Sequence, residues 1–191
     1  MATTGQTIVF VILLILIGYT QIGRAQEMPM NKDGKIIYTG IVPVDSLAKE
    51  KIYSKVKEWF ANQFKLADDF IQLDDKENYT LIGKGSMIAR HYMDISGEFK
   101  NRGYIYFTMK FQVKDNKYKY EIYNFNHKDK KGNGGDLENE TPDCGRYVLS
   151  RKYWRSIKES ADYDIKNMLK ILQSKIIKTK EDFPNKLPEN W

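Results

Sequence analysis

The sequence predicts an α+β fold, in which a curved antiparallel sheet of about five strands carries two helices on one face. Two segments, residues 47–64 and 153–178, repeat apolar side chains every three or four positions, as amphipathic helices do. Five other segments are rich in β-branched and aromatic residues, which favour strands. The predicted order is β-α-β-β-β-β-α, and both helices can cover the same face of the sheet.

The composition is that of a globular domain. The chain has 191 residues, of which 41% are hydrophobic and 29% charged, a balance typical of neither disordered nor membrane-embedded proteins. The net charge of +6 is modest and does not by itself indicate a nucleic-acid partner. Cys144 is the single cysteine, which excludes an intramolecular disulfide and a thiolate metal cluster. We expect no metal, no cofactor and no nucleic acid.

Residues 1–25 are predicted to be a signal peptide. The unbroken apolar run at residues 8–17 makes about 15 Å of helix, which is too short for about 30 Å of hydrocarbon. Gly23 and Ala25 provide the small residues of a cleavage site, so a mature start at Gln26 is expected. No lysine or arginine precedes the apolar run, and a retained short anchor is the alternative. The expected location is periplasmic or secreted, without a stable membrane span after cleavage.

The mature chain is expected to form one domain over residues 26–180. Within it, residues 129–146 are rich in glycine and acidic side chains and have no apolar period, which predicts a polar, mobile loop. Residues 181–191 contain two prolines and are predicted to be an irregular tail. Three apolar residues of the tail can fold back onto the domain: Phe183, Leu187 and Trp191.

Local signals define the first strand and the start of the first helix. Residues 35–44 read as a strand. Because proline has no amide hydrogen to donate, Pro43 predicts that this strand lies at an edge of the sheet or ends there. Asp45 or Ser46 is predicted to cap the helix that follows.

Gly83 and Gly85 interrupt the strand predicted at residues 79–90. A phosphate-binding loop would need a third glycine and a helix directly after it, and the sequence has neither. Glycines inside a strand instead mark a bulge or a bend. They indicate a strongly curved sheet.

Residues 103–127 are predicted to form a hairpin that turns at Asp115 and Asn116, two residue types that tolerate positive φ. Directly opposed residues share a face of the sheet. In this register Tyr106 opposes Phe125, and the other face becomes the core. The predicted core residues are Ile105, Phe107, Met109, Phe111, Val113, Tyr118, Tyr120 and Ile122. The open face has lysines near the turn and aromatic residues at the far end, where Tyr104 opposes His127.

The open face supplies the candidate binding residues. Aromatic rings can stack on sugar rings or on a partner's side chains, and lysines attract anions. The alternative is that the tail or a second copy of the chain covers the same rings. The candidate residues are Tyr104, Tyr106, Tyr123, Phe125, Lys110 and Lys119.

No catalytic residue is predicted. His91 and His127 are isolated histidines, which are usually structural or surface residues. A catalytic role for Cys144 would need one of them folded against it. The acidic residues of the polar loop lack the spacing and turn glycine of an EF-hand, so a solvated segment is favoured over a cation site. These acidic residues are Asp136, Glu138, Glu140 and Asp143.

Three stretches carry a family resemblance: DGKIIYTGIVPVDSLAKEKIYSKVKEWFANQF, IGKGSM and YIYFTMKFQVKDNKYKYEIYNF. Together they resemble a family of exported bacterial proteins known as domain of unknown function 4468, over about residues 30–127. The resemblance implies the curved sheet of the TATA-binding-protein-like (TBP-like) fold. It implies no activity, because the family has no assigned catalytic residues. DNA binding does not follow from the fold either.

We therefore expect an exported, non-enzymatic envelope domain that binds an envelope protein or a small ligand through the open sheet face. One alternative is a hydrolase-type enzyme with an unrecognised site. Another is a structural or oligomerising module whose open face is covered. The oligomeric state is left open.

Overall fold

A computed structural model describes residues 28–64, 71–92 and 98–177. The predicted signal peptide and the predicted tail lie outside these residues. The strands are β1 (Ile37–Pro43), β2 (Ile71–Asp75), β3 (Thr80–Tyr92), β4 (Phe99–Lys114), β5 (Lys117–Lys128) and β6 (Gly135–Asp136). The helices are α1 (Lys49–Gln63) and α2 (Arg151–Ile177).

The strands form an antiparallel sheet in the spatial order β2-β3-β4-β5-β1. Strands β2 to β5 pair with their neighbours in sequence, whereas α1 lies between β1 and β2, which occupy opposite edges. The edge position predicted for the first strand from Pro43 is confirmed. The predicted α+β class and element order are confirmed too, with the short β6 as an addition that pairs with β5 beyond β1.

Both helices pack on one face of the sheet and form the core with it. Trp59 and Phe60 of α1 meet Phe111 of β4 edge to face, with ring centroids 6.2 and 6.4 Å apart. Trp154 and Leu172 of α2 are also buried in this core. Burying each such side chain contributes about 1.5–3 kcal/mol, so the contacts between the helices and the sheet stabilise the fold. In the described part of the chain, neither helix is long and apolar enough to cross a membrane.

The start of α1 is capped from a distant part of the chain. We predicted a local cap at Asp45 or Ser46, but the Lys49 N–H donates to Oδ1 of Asp115 at 2.9 Å. Asn116 in the same turn donates its N–H to, and accepts an N–H from, the segment that precedes the helix. The predicted local cap is therefore wrong. The β4–β5 turn satisfies the exposed amide instead.

The two glycines of β3 have different roles. Gly83 lies opposite an irregularity of β2 between Ile71 and Leu73, as expected for a strand glycine at a bulge. Gly85 lies in regular pairing with Phe107, and a side chain there would overlap the Phe107 ring. The irregularity expected near these glycines therefore lies opposite Gly83, in β2, whereas Gly85 makes room for a core ring. The strong curvature of the sheet stays a prediction.

The segment between β5 and α2 has defined partners on both elements. Its Leu137 is buried and donates its N–H to the Phe125 carbonyl at 3.0 Å. The indole N–H of Trp154 donates to the Asn139 carbonyl at 2.8 Å. These bonds hold the segment between the sheet edge and α2. Its mobility stays a prediction.

Candidate functional site: the open face of the sheet

The sheet face opposite the helices is a grid of side chains. Opposed residues of antiparallel strands point to the same face, so the pairing fixes which side chains lie together. Neither helix lies on this face. Its rows are Ile88, Tyr104 and Lys128; Ser86, Tyr106 and Asn126; Lys84, Thr108, Tyr123 and Ile37; Ile82, Lys110, Glu121 and Thr39; and Thr80, Gln112, Lys119 and Ile41.

A β-bulge divides the β4–β5 hairpin. The predicted register is confirmed from the turn as far as Thr108 opposite Tyr123. Beyond this pair β5 contains one extra residue, so Tyr106 opposes Asn126. Asn124 lies within the bulge and has a φ of 58°, a left-handed conformation that asparagine adopts more readily than most residues.

The bulge moves Phe125 into the core. Phe125 is 0% exposed, and its ring lies 5.7 Å from that of Tyr38 and 5.8 Å from that of Phe107. The predicted position of Phe125 on the open face is therefore wrong. His127 turns inward for the same reason, and Lys128 takes its place on the open face.

The open face has an aromatic end, which comprises Lys84, Ile88, Tyr104, Tyr106 and Lys128. Tyr104, Tyr106 and Ile88 are 46%, 42% and 45% exposed. The two tyrosine rings have centroids 6.5 Å apart and planes inclined at 48°. The ammonium of Lys128 lies 5.6 Å from the centroid of the Tyr106 ring, within cation–π range. The two predicted tyrosines therefore form one exposed patch.

The open face also has a turn end, whose charges are shared among Lys110, Lys119 and Glu121. Glu121 lies 2.6 Å from the Lys119 ammonium and 4.0 Å from that of Lys110. Exposed ion pairs of this kind contribute about 0–1 kcal/mol to stability, but they reduce the local positive charge. Tyr123 lies half-buried in the row between the two ends. The predicted binding residues Lys110, Lys119 and Tyr123 therefore lie on the open face as expected.

Sequence reasoning missed Lys84, Ile88 and Lys128. The period-two alternation along β3 places Lys84 and Ile88 on the same face as Ser86, so their signal was present in the sequence. Lys128 had no such signal, because the bulge reverses the alternation after Tyr123.

The two histidines lie between the sheet and α2 and not on the open face. His127 is fully buried, and its Nδ1 accepts the Gly134 N–H at 2.9 Å. Its Nε2 lies 2.5 Å from the Arg102 carbonyl, to which it donates its proton. His91 is buried against the ring of Tyr153, with centroids 4.3 Å apart. His127 thus links β4 to the segment after β5.

Cys144 is half-buried in the segment that follows β6. Burial raises the pKa of its thiol, and the nearby carboxylates of Asp143 and Asp129 raise it further. Reactive thiols have lowered pKa values and electropositive surroundings. The surroundings of Cys144 therefore favour the neutral thiol.

The acidic residues after β5 hold the local structure. Glu138 accepts the Ile36 N–H at 2.9 Å, and Asp136 accepts a hydrogen bond from the Asn126 side chain at 2.9 Å. Among the residues of known position, no three His, Cys, Asp or Glu side chains converge as a metal site. The carboxylates of Glu138 and Asp136 fasten the β1 and β6 edge of the sheet.

In the described residues, an antiparallel sheet carries two helices on one face and none on the other, which is the layout of a TBP-like α+β protein. Residues 38–128 match the profile of the domain of unknown function DUF4468 with TBP-like fold. This match confirms, for residues 38–128, the family resemblance carried by the first strand and the hairpin.

Two solved structures have a similar fold. A TBP-like protein from Parabacteroides distasonis ATCC 8503 is 15% identical and superposes with a TM-score of 0.53, over 76% of this chain and 96% of that chain. A DUF4468 family protein from Bacteroides ovatus ATCC 8483 is 12% identical, with a TM-score of 0.54, over 82% of this chain and 94% of that chain. At these identities the likeness concerns the fold. No curated protein matches the chain.

Proposed function

We propose that the protein is an exported, non-enzymatic binding domain whose open sheet face holds a partner protein or a small ligand of the cell envelope. One observation carries this proposal: Ile88, Tyr104 and Tyr106 lie side by side on the aromatic end, each 42% or more exposed. Contiguous exposed apolar patches on soluble proteins mark interaction sites. Tyrosine suits such a site because its ring gives apolar contact and its hydroxyl can bond to a polar partner.

The rest of the face is consistent with a binding surface. Interfaces combine aromatic anchors near their centre with a polar, solvated rim. Tyr104 and Tyr106 would be the anchors here, and the lysines and Glu121 of the turn end would form part of the rim. The predicted binding residues Tyr123, Lys110 and Lys119 belong to this rim.

A capture experiment with paired variants tests the proposal. Protein starting at Gln26 is immobilised and exposed to envelope extract, beside a Tyr104→Ala/Tyr106→Ala variant. Tyr147 and Tyr163 are exposed tyrosines outside the sheet, so Tyr147→Ala/Tyr163→Ala is the matched control. We expect the retained partner to be lost from the first variant and kept by the control. Equal recovery on all three proteins would exclude the open face.

A second measurement separates a binding face from a covered face. Tyrosine iodination with mass-spectrometric mapping compares two proteins at low concentration. Both start at Gln26; one extends to Trp191 and the other ends at Ile177. We expect Tyr104 and Tyr106 to react equally in both. If they react only in the shortened chain, the C-terminal residues cover the face and the proposal fails.

The absence of catalysis in this proposal has its own test. Glycoside, peptide and phosphoester substrates are incubated with the protein and with a His91→Ala variant. We expect no turnover by either protein. Turnover that the His91→Ala change abolishes would favour the hydrolase alternative.

Export is a part of the proposal that the N-terminal sequence supports. The apolar run at residues 8–17 and the small residues Gly23 and Ala25 fit a cleaved signal peptide. N-terminal sequencing of the protein from periplasmic and culture fractions should give a chain that starts at Gln26. A full-length chain in the membrane pellet would instead indicate a retained anchor.

A further inference from the structure

The positive charge of the open face is compensated at the turn end and not at the aromatic end. Glu121 serves both Lys110 and Lys119. Asp136 lies beside the aromatic end but is held by Asn126 and by Lys35 at 3.7 Å. Among the described residues, neither Lys84 nor Lys128 forms an ion pair. The exposed rings therefore share the aromatic end with two lysines that have no ion-pair partner in the described part of the chain. The Lys128 ammonium lies 5.6 Å from the Tyr106 ring, and Lys84 lies one row away from Tyr106 in the sheet.

The shape of the aromatic end favours a polypeptide over a flat ring such as a sugar or a base. The planes of Tyr104 and Tyr106 are inclined at 48°, so they do not make one flat stacking platform. Lys128 already occupies space near the Tyr106 ring. Beside Tyr104 lies the aliphatic Ile88, which packs well against apolar side chains. Amino-acid side chains can adapt to this uneven surface.

The spacing of the rings fits an extended chain. The centroids of Tyr104 and Tyr106 are 6.5 Å apart. Alternate side chains of a strand lie about 6.6–6.8 Å apart, from a rise of about 3.3–3.4 Å per residue. A segment that runs along β4 can therefore place two apolar side chains, at positions i and i+2, on the two rings.

The same charges disfavour a second copy of this face as the occupant. A two-fold symmetric contact pairs a patch with itself. It would bring Lys84 and Lys128 of one copy towards the same lysines of the other, and like charges across an interface are unfavourable. A partner with carboxylates complements them.

We propose that the aromatic end binds an extended, acidic segment of another protein, with apolar side chains at alternate positions on Tyr104 and Tyr106 and with carboxylates facing Lys84 and Lys128. This inference rests on the proposed function of the open face and names the chemistry of its partner. The tyrosines supply apolar contact, and the lysines select against neutral and basic segments.

Selection from a library of random linear peptides tests this chemistry. Peptides are selected on protein starting at Gln26 and counter-selected on the Tyr104→Ala/Tyr106→Ala variant, so that only peptides that need the open face remain. We expect these peptides to be rich in Asp and Glu and to carry apolar residues two positions apart. Face-dependent peptides without an acidic excess would overturn the inference and leave the proposed function standing. A library that yields no face-dependent peptide would overturn the inference and count against the proposed function as well.

Titration calorimetry with a selected peptide then measures the contribution of each side chain. Lys84→Gln and Lys128→Gln should each weaken binding about two- to fivefold, as expected for exposed charge pairs. Tyr106→Ala should weaken it about tenfold or more. Lys51→Gln, an exposed charge change on α1, is the matched control and should have no effect. Equal affinities for Lys84→Gln, Lys128→Gln and the control would overturn the role of the lysines.

Discussion

The two faces of the sheet use aromatic side chains in opposite ways. On the helix face, Phe111 and Phe125 are fully buried among other rings. On the open face, Tyr104 and Tyr106 come from the same hairpin and keep almost half of their surface exposed. Residue type alone does not separate packing from recognition here. Strand register distinguishes the buried rings from the exposed ones, because it determines the face of the sheet on which each ring lies.

The largest expected effect distinguishes a ring on the helix face from a ring on the open face. Phe125→Ala should lower the free energy of unfolding by about 3–5 kcal/mol, because it leaves a cavity against Tyr38 and Phe107. Tyr106→Ala should change it by less than about 0.5 kcal/mol. Urea denaturation of both variants measures the difference. A small loss for Phe125→Ala would mean that the hairpin keeps a regular register without the bulge.

A second prediction concerns the polar contacts of the helix face. His127→Ala should cost about 2–4 kcal/mol, since it leaves the Arg102 carbonyl and the Gly134 N–H buried without their partner. Hydrogen exchange at the Gly134 amide should become faster in this variant. Gln112→Ala, an exposed change on the open face near the turn of the same hairpin, is the control and should leave that exchange nearly unchanged. Slow exchange at Gly134 without the imidazole would show that other contacts hold the segment.

A smaller effect is expected at the turn that joins the two hairpin strands. Asp115→Ala should lower stability by about 1 kcal/mol, the usual contribution of a helix cap. Asp115→Asn keeps an acceptor oxygen and should recover most of the loss. Asp45→Ala removes one of the two caps that the sequence predicts, Asp45 or Ser46, and should have little effect. Thermal unfolding compares the three, and a larger loss for Asp45→Ala would restore the local cap.

The smallest prediction is a pH dependence at the β2 edge. The Lys57 ammonium and the Tyr53 hydroxyl both bond to Asp74 and hold the pKa of its carboxyl below its usual range. A lowered native pKa adds stability above the unfolded pKa of about 3.9, and that stability is lost as the pH falls through the native pKa. The free energy of unfolding of the wild type should therefore be higher than that of Asp74→Asn, by less than about 1 kcal/mol at neutral pH. Urea denaturation at several pH values should show this difference in stability disappear in acid. A difference that does not change with pH would contradict a lowered pKa of Asp74.

Local patterns predicted most of the fold. Apolar spacing found both helices, and alternation around Asp115 and Asn116 found the hairpin and its core face as far as Thr108. These features depend on neighbours in sequence or on a two-residue turn. Tyr104 and Tyr106 were correctly placed on the open face, because they stay in step with the strand that carries the pattern.

The predictions that are wrong concern a strand bulge and a contact between residues far apart in the sequence. Asn124 has a positive φ and lies in the bulge, where β5 contains one extra residue. The alternation of side chains along β5 does not indicate this bulge. Phe125 was therefore placed on the wrong face, and Lys128 was missed. The cap of α1 comes from Asp115, which only the folded sheet brings close to Lys49. Tertiary contacts of this kind leave no local trace in a sequence.

The contact between Asp115 and α1 also sets an order of events in time. The two bonded residues are 66 positions apart, so α1 leaves the ribosome well before the carboxylate that caps it. Closing such a long loop costs chain entropy, which β4 and β5 repay only once they have paired. The first turn of α1 is therefore stabilised by its cap only late in folding, after the β4–β5 hairpin has formed. In pulse-labelled hydrogen exchange, the Lys49 amide should gain protection together with the hairpin rather than with the middle of its own helix.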